Sequence, residues 1–413
     1  MKILWLCNIS FSLQKNNATG SWLQPLAEAL IATQNCKIAC IAFGNVKKIV
    51  KYNVNGITQY IIPNRKQKKY GQVACNKTCQ DVITIESECQ PDIIHIWGTE
   101  NVWCSIHAKK MFSTKKILLD IQGLLKPYTD YYLGGLTFKE ILSCIYLKEF
   151  LLPNRNLYSK AHYFKQRGLY EEEFLKSFSH ISTQSNWVRN YIRIKNPNAQ
   201  IYNTKIILRQ EFYDADIWKY KTPNDSPIIF SSCSAAIPYK GMHQLIKMAK
   251  ILKAEYPNIQ IRIAGAVNVG NKLLDGYSIY LNKMIKEYGL TNNIIYLGSI
   301  NSVQIVSELQ NCNVCVIPSY IETYCLALAE ALIIGVPCVV SYAGALPETA
   351  VPNEEALFYN SNDYIQGAAL IKKIINNKEL AINLGTNARS RRLIENDIES
   401  VLNTQMNIYN QLV

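Results

Sequence analysis

The chain has 413 residues and lacks any apolar run of about 18 or more, so no membrane-spanning helix is expected. Its first residues, MKILWLCNIS, have no small-residue cleavage site, so they indicate a buried first strand and not a signal peptide. Internal repeats and low-complexity tracts are also missing. Hydrophobic residues make up 48% and charged residues 18%, which is typical of a globular chain. The length is enough for two α/β domains, each with its own core.

Patterns typical of metal sites are scarce as well. Asp214-Ala215-Asp216 is the one Asp-x-Asp sequence, and it lies in a predicted linker. Cys312 and Cys315 have the spacing of a redox or zinc pair, but no second pair matches them, so we interpret them as buried strand residues. We therefore expect neither a metal nor a cofactor. The 13 cysteines are odd in number, and so many thiols favour a reducing cytoplasm.

Acidic residues are few, and the formal net charge is +13. Residues 1–200 hold 26 Lys and Arg against 13 Asp and Glu, whereas residues 201–413 hold 18 of each. A basic first half indicates an anionic partner, either nucleic acid or an anionic membrane face. A solvated surface in a Lys-rich chain would explain the charge equally well. Because no nucleic-acid motif accompanies it, we expect no nucleic-acid binding and favour the membrane surface.

Strands alternate with helices most clearly in the second half of the chain, which indicates βαβ units and a parallel sheet. The first half alternates less regularly and is interpreted as a second doubly wound domain with extra helices. Turn-forming residues near 213–227 mark the connection. We predict an N-terminal Rossmann-like domain (1–213), a C-terminal Rossmann-like domain (214–390), and a C-terminal helix (391–413) that packs back on the first domain.

The stretch SYIETYCLALAEALIIG contains two glutamates, and the second lies in an almost wholly apolar run. On one continuous helix Glu322 and Glu330 would be about 12 Å apart and about 80° apart around the axis. The two side chains can contact one ligand only if Glu322 lies in the loop before the helix. An unpaired buried carboxylate costs several kcal/mol. A ribose diol would satisfy Glu330, and the helix N-terminus would suit a phosphate.

Three further candidates follow predicted strands, where parallel sheets bind ligands. Lys240-Gly241 opens a helix, which favours an anion. Gly20, in ATGSW, precedes another helix and indicates either a phosphate or sugar contact or a plain helix start. His95, in PDIIHIWG, ends a strand and is either packed or directed into a cleft.

The glutamate pair resembles the E-x7-E signature of retaining glycosyltransferases of family 4, and more specifically bacterial polysaccharide-biosynthesis enzymes of that family. The chain departs from the family pattern at Thr323 and Cys325, where glycine is usual. Lys240-Gly241 resembles the diphosphate loop of the family, but the arginine of that loop is absent here, and Arg262 is a candidate replacement. The family residues that the chain keeps are Glu322, Glu330, Ala331, Gly335, Pro337 and Gly344.

The resemblance implies the GT-B fold, with two facing Rossmann-like domains and a cleft between them. The first domain (1–213) would bind the acceptor, and the second (214–390) would bind the nucleotide sugar. It implies metal-independent transfer of a sugar, with retained configuration, from a nucleotide-diphosphate sugar. A UDP-sugar is the favoured donor, and a glycan or lipid-linked molecule in bacterial surface polysaccharide (capsule) synthesis is the expected acceptor. The implied catalytic residues are Glu322, Lys240 and His95, and the implied donor-binding residues are Glu330, Lys240, Gly241, Thr323, Tyr324, Cys325, Leu326 and Gly20.

Other functions remain open at this point. The missing arginine and loop glycines are compatible with an inactive glycosyltransferase-like binding partner. A GT-B epimerase or phosphorylase would also use such a fold. We expect a cytoplasmic protein, either free or peripheral on the inner face of the cell membrane, because the basic first half suits an anionic surface.

Overall fold

The structure, a computed structural model, describes residues 1–11, 22–223, 226–266 and 275–413. The strands are β1 Lys2–Leu6, β2 Lys37–Gly44, β3 Val50–Val54, β4 Ile57–Pro63, β5 Ile93–Trp97, β6 Ile117–Asp120, β7 His180–Thr183, β8 Gln200–Asn203, β9 Ile228–Ala235, β10 Gln260–Ala266, β11 Ile294–Gly298, β12 Val314–Ile317, β13 Cys338–Ser341 and β14 Ala356–Tyr359.

Helices alternate with these strands along most of the chain. They are α1 Leu23–Ala32, α2 Asn76–Cys89, α3 Trp103–Ala108, α4 Leu125–Tyr131, α5 Phe138–Leu142, α6 Leu147–Leu151, α7 Leu157–Leu175, α8 Asn186–Lys195, α9 Gln210–Tyr213, α10 Met242–Lys253, α11 Gly276–Glu287, α12 Ser302–Asn311, α13 Leu326–Ile334, α14 Leu346–Thr349, α15 Tyr364–Ile375, α16 Lys378–Glu395 and α17 Ile398–Leu412. Among the described helices, none has both the length and the apolar composition to cross a bilayer.

Unit 1 consists of Met1–Thr129, Tyr163–Ile207 and Asn396–Val413. Its sheet has eight strands in the order β3-β4-β2-β1-β5-β6-β7-β8. All neighbouring strands are parallel except β3 and β4, which form an antiparallel hairpin. The central strands β1 and β5 are buried along almost their whole length, as expected for a parallel sheet covered by helices on both faces.

Unit 2 consists of Asp130–His162 and Leu208–Glu395. Its sheet has six parallel strands in the order β11-β10-β9-β12-β13-β14. The chain moves outward from β9 to β11 on one side and then crosses to β12 on the other. The boundary between β9 and β12 is therefore a topological switch point, where ligands bind beyond the carboxyl ends of the strands.

Residues 130–162 differ from the expected division, which placed them in the first domain. They belong to unit 2 because their polar groups are anchored there. Lys247 on α10 donates to Glu140 over 2.8 Å, and the backbone N–H of Gly276 donates to Glu149 over 2.9 Å. The C-terminal helix α17 belongs to unit 1, where the Trp5 indole donates to the hydroxyl of Tyr409 over 3.2 Å.

Candidate functional site

The loop after β9 places Lys240 at the switch point of unit 2. Pro238–Lys240 forms one 3₁₀ turn, and Gly241 follows with φ +72° before α10 begins. A Cβ on Gly241 would lie 1.9 Å from the carbonyl oxygen of Pro318, at the end of β12. Only glycine allows this approach, and it brings the β9 and β12 loops together. Lys240 is thereby held at the carboxyl ends of both strands.

Glu322 lies in the loop that follows β12, as the sequence predicts, and it faces Lys240. The Lys240 Nζ atom is 2.6 Å from Glu322 Oε1, and the Ser319 hydroxyl donates to the same oxygen over 2.7 Å. Glu322 is only 6% exposed. Within the described part of the chain no group hydrogen-bonds to Oε2. One carboxylate oxygen is thus fixed by an ammonium and a hydroxyl, and the other is available to a polyol.

The backbone around Glu322 is held as firmly as its side chain. The N–H of Ala345 donates to the carbonyl of Glu322 over 2.8 Å. A Cβ on Gly344, where φ is +54°, would lie 2.2 Å from that carbonyl oxygen. The hydroxyls of Ser341 and Thr349 donate to the carbonyls of Ser319 and Tyr324, respectively. These contacts explain why glycine occupies position 344, which the sequence analysis associated with the family motif.

Cys325 occupies the N-cap of α13 with φ 75° and ψ 84°. This left-handed conformation costs an L-residue roughly 1 kcal/mol and costs glycine nothing. The backbone at this position therefore has a conformation that glycine adopts most readily, although the residue is a cysteine. Thr323 is different, since it does not have a positive φ. Burial raises the pKa of the Cys325 thiol, so it stays protonated at neutral pH.

Cys325→Gly is expected to raise the free energy of unfolding by about 0.5–1 kcal/mol, because it removes this backbone strain. Urea denaturation of the two proteins measures the difference. Asn353→Gly is the matched control, since Asn353 also has a positive φ of 66° but asparagine tolerates that conformation better. A stabilisation by Asn353→Gly equal to that by Cys325→Gly would contradict the strain at the N-cap.

Glu330 lies in the second turn of α13 and is 8% exposed. Its Oε1 atom accepts from Arg209 Nη2 over 2.6 Å, and Arg209 is its one hydrogen-bond partner among the described residues. Burial raises the pKa of Glu330, and the nearby Arg209 guanidinium opposes that rise. The sequence predicts that a ribose diol satisfies this carboxylate. In the structure Arg209 already pairs with one of its two oxygens, so Glu330 is not an unpaired buried charge.

Arg209 and Ser319 belong to this site but are not among the residues predicted from the sequence. Arg209 precedes the short helix α9, and its guanidinium lies 4.9 Å from the ring centre of Phe212. No motif or spacing connects it to Glu330, which is 121 residues away in the chain. Ser319 could have been found, because it lies three residues before Glu322 in the same predicted loop. Arg209 supplies a cation beside α13 in a chain that lacks the arginine of the diphosphate loop.

Arg262, the candidate replacement for that arginine, does not approach Lys240. It lies near the start of β10, where it pairs with Glu308 at 3.2 Å and with Gln260. It lines a cavity of about 470 Å³ together with Ile228, the first residue of β9. This is the amino edge of the sheet, opposite the edge that carries Lys240, so Arg262 is excluded as the replacement.

His95, which the sequence leaves either packed or directed into a cleft, lies in the core of unit 1. Its side chain is fully buried in β5, its Nδ1 atom is 2.7 Å from the hydroxyl of Tyr409, and its ring stacks on Trp97. Burial lowers the pKa of His95, so the imidazole is neutral. The ring is enclosed by core residues, which argues against the catalytic role that the resemblance implied. Its role here is packing against α17.

Three other residues predicted from the sequence remain to be placed. Tyr324 is buried, and Leu326 is the first residue of α13, directly after Cys325. Gly20 lies outside the described residues.

No cluster of three or more His, Cys, Asp or Glu side chains suited to a metal occurs in the parts of the chain that are described. The switch point thus offers two carboxylates, two cations and the N-termini of α10 and α13, a set that suits an anion and a polyol.

The comparisons with known proteins agree with this geometry. Residues 213–391 match the family model of glycosyl transferases group 1. The chain is 30% identical over 145 residues to an uncharacterized glycosyltransferase, YqgM, of Bacillus subtilis, covering 35% of this chain and 38% of that protein. It is 24% identical over 192 residues to the capsular polysaccharide biosynthesis glycosyltransferase CapM of Staphylococcus aureus, covering 45% and 48%. The chain therefore spans less than half the length of these relatives.

Solved structures match over the whole chain. Sucrose-phosphate synthase from Thermosynechococcus elongatus superposes with a TM-score of 0.76 at 16% identity, covering 100% of this chain and 98% of that one. The Anabaena protein HepE in complex with UDP-glucose superposes with a TM-score of 0.68 at 14% identity, covering 100% and 99%. These likenesses confirm the GT-B fold class expected from the sequence.

Proposed function

We propose that the protein is a retaining glycosyltransferase that moves a sugar from a nucleotide-diphosphate sugar to a glycan or lipid-linked acceptor. The observation that carries the proposal is the pairing of Glu322 with Lys240 and of Glu330 with Arg209 in unit 2. Lys240, Glu322 and Glu330 lie within the range that matches glycosyl transferases group 1, and Arg209 lies just before it. Support for a UDP-sugar donor comes from HepE, whose structure contains UDP-glucose.

The donor diphosphate would lie against Lys240 and the N-terminus of α10. Negative charge grows on this group as the bond to the sugar breaks, so a fixed ammonium stabilises the transition state more than the ground state. Glu322 holds that ammonium at 2.6 Å and so fixes its position. Protein cations and helix N-termini would supply the charge stabilisation, and the proposal needs no metal.

Glu330 would bind the ribose hydroxyls, and Glu322 would contact the donor sugar. Glu330 uses one carboxylate oxygen for Arg209 and can accept from a hydroxyl with the other. Arg209 thereby fixes the rotamer of Glu330 before the donor arrives, which lowers the entropy cost of binding. Retention of configuration fits a reaction on one face of the sugar, with Glu322 as the carboxylate nearest to that sugar.

The acceptor would be a lipid-diphosphate-linked glycan in the synthesis of a bacterial surface polysaccharide. Two features support this choice: the relative CapM acts in capsular polysaccharide biosynthesis, and the excess positive charge of the chain lies in residues 1–200. Basic surfaces bind anionic membrane faces, with a contribution of about 1 kcal/mol for each Lys or Arg near the surface. A peripheral position on the inner face of the membrane follows from this proposal.

A screen of nucleotide sugars by thermal shift, followed by turnover assays, tests the proposal. A ligand at 100 times its dissociation constant stabilises the native state by about 2.7 kcal/mol, so the correct donor is expected to raise the melting temperature by several degrees. We expect a UDP-sugar to do so and to be consumed, with release of UDP. Glu322→Ala is the control variant, and its turnover should vanish.

The other outcomes of this screen distinguish the alternatives. Binding without any turnover, with every acceptor fraction tried, would instead make the protein an inactive glycosyltransferase-like partner. Conversion of the free nucleotide sugar without an acceptor would indicate an epimerase. Release of a sugar phosphate from a glycan in the presence of phosphate would indicate a phosphorylase.

A further inference from the structure

Large apolar side chains are concentrated on the surface of unit 2 between α5 and the residue that follows α6. They are between 44% and 74% exposed, which is unusual for leucine and phenylalanine on a soluble surface. We name this set the apolar face; its members are Phe138, Leu142, Leu147, Phe150, Leu151 and Leu152.

Helix α5 turns its apolar side outward because its acidic side is anchored inward. Phe138 and Leu142 are four residues apart and share one side of the helix. Glu140 lies on the opposite side, where it accepts from Lys247 at 2.8 Å and from the hydroxyl of Tyr280 at 3.0 Å. Burial raises the pKa of Glu140, but the Lys247 ammonium and the Thr137 hydrogen bonds together outweigh burial and hold this pKa at about 2, so the carboxylate is charged and anchored at neutral pH.

Helix α6 repeats the same arrangement. Leu147, Phe150 and Leu151 occupy spacings that share one side of the helix. Glu149 lies on the other side, is buried, and accepts from the backbone N–H of Gly276 over 2.9 Å. A Cβ on Gly276 would lie 1.7 Å from the carbonyl oxygen of Cys144, so the segment is pressed against the start of α11. The outward position of the apolar face is therefore fixed by its inner contacts.

The charges left on the outer side of this segment are basic. Both glutamates of the two helices have their partners inside unit 2, whereas Lys139 and Arg155 are exposed. Within the described residues neither of these two cations forms an ion pair. Lys148 adds a third cation to the segment. Helices that lie in a membrane interface have this composition, with exposed leucine and phenylalanine next to Lys and Arg.

We propose that the apolar face inserts into an anionic phospholipid bilayer and that Lys139 and Arg155 bind the headgroups. Charge decides between the possible occupants: a second copy of this face would bring the same cations together, whereas anionic lipid complements them. The inference rests on the membrane association within the proposed function and adds the element that performs it. It also adds an apolar contribution to the free energy of membrane binding, and salt does not screen that contribution.

Co-sedimentation of the full chain with vesicles tests the docking surface. Vesicles of phosphatidylcholine alone are compared with vesicles that also contain phosphatidylglycerol, at low and high salt. Leu147→Ser/Phe150→Ser/Leu151→Ser is expected to weaken binding to the anionic vesicles about 100-fold, at either salt concentration. Lys139→Gln/Arg155→Gln is expected to weaken it about tenfold at low salt and much less at high salt.

Ile194→Ser and Ile394→Ser are the matched controls, because these isoleucines are 79% and 75% exposed but lie on other helices. They are expected to bind vesicles like the unmodified protein. The tryptophan fluorescence of Phe150→Trp should be quenched by brominated lipid more strongly than the fluorescence of the unmodified protein, which comes from its natural tryptophans. Equal binding of the triple variant and the unmodified protein, or absence of that extra quenching, would overturn the proposal. A change of oligomeric state in the triple variant, with vesicle binding intact, would assign the face to a second copy and also overturn it.

The donor thermal shift separates this proposal from the proposed function. The triple variant should keep the full shift with the UDP-sugar, because no residue of the apolar face belongs to the candidate donor site. Loss of vesicle binding together with an intact shift is therefore the expected result. If no nucleotide sugar binds the unmodified protein while vesicle binding still depends on the apolar face, the docking surface stands and the proposed donor chemistry fails.

Discussion

Lys240→Met is expected to lower kcat about 1,000-fold while leaving the protein folded. Lys240 is the cation at the switch point that is held by Glu322 at 2.6 Å, and methionine keeps the length of its side chain without the charge. Its loss removes stabilisation of the departing diphosphate, where charge develops in the transition state. Steady-state turnover of the UDP-sugar identified in the screen measures the effect. Lys240→Arg should recover part of kcat, because it restores a positive charge.

Lys247→Met is the matched control for this variant. Lys247 also forms a close ion pair in unit 2, with Glu140 at 2.8 Å, and its side chain is about as exposed, 19% against 22% for Lys240. It lies in the second turn of α10, whereas Lys240 lies in the 3₁₀ turn before that helix. We expect kcat of Lys247→Met to stay within a few-fold of the unmodified protein. A similar loss in both lysine variants would show that a broken ion pair, and not the leaving group, explains the result.

The alternation of strands and helices in unit 2 is predictable from the sequence because its strands are short continuous apolar runs separated by amphipathic helices. In the structure the strands β9 to β13 alternate with the helices α10 to α13, as this pattern predicts. The polar strands β7 and β8 are not predicted, since four residues such as His180–Thr183 carry too little periodicity. The β3–β4 hairpin does have a sequence signal, the dipeptide Asn55-Gly56, and both of its φ angles are positive in the structure.

The site is predictable as far as it depends on neighbours in the chain. The assignment of Glu322 to a loop and of Glu330 to the following helix is confirmed. It is predictable because the end of a strand and the start of a helix are both visible in the local sequence pattern. The partner of Glu330 is not predictable, since Arg209 is joined to it only through the fold. His95 fails for another reason: a strand buried on both faces has no polar side from which its orientation could be read.

Glu330→Gln is expected to lower kcat/KM for the UDP-sugar about 100-fold, mainly through KM. The ribose lies away from the bond that breaks, so the contact stabilises the bound ground state and the transition state to a similar degree. The variant keeps the shape of the side chain but weakens its bonds to the hydroxyls and leaves Arg209 without its carboxylate. Steady-state kinetics with variable donor concentration separates the effect on KM from the effect on kcat.

Glu355→Gln is the matched control, since Glu355 is another buried carboxylate of unit 2, paired with Arg391 at 2.7 Å. Both variants lose one buried ion pair, so both should lose stability, but only Glu330→Gln should lose donor affinity. The sharper test compares UDP with 2′,3′-dideoxy-UDP. The unmodified protein should bind UDP much more tightly, whereas Glu330→Ala should bind the two alike, because the carboxylate that distinguishes them is gone. If Glu330→Ala still distinguishes the two nucleotides as well as the unmodified protein does, Glu330 does not bind the ribose, and its pairing with Arg209 is then structural.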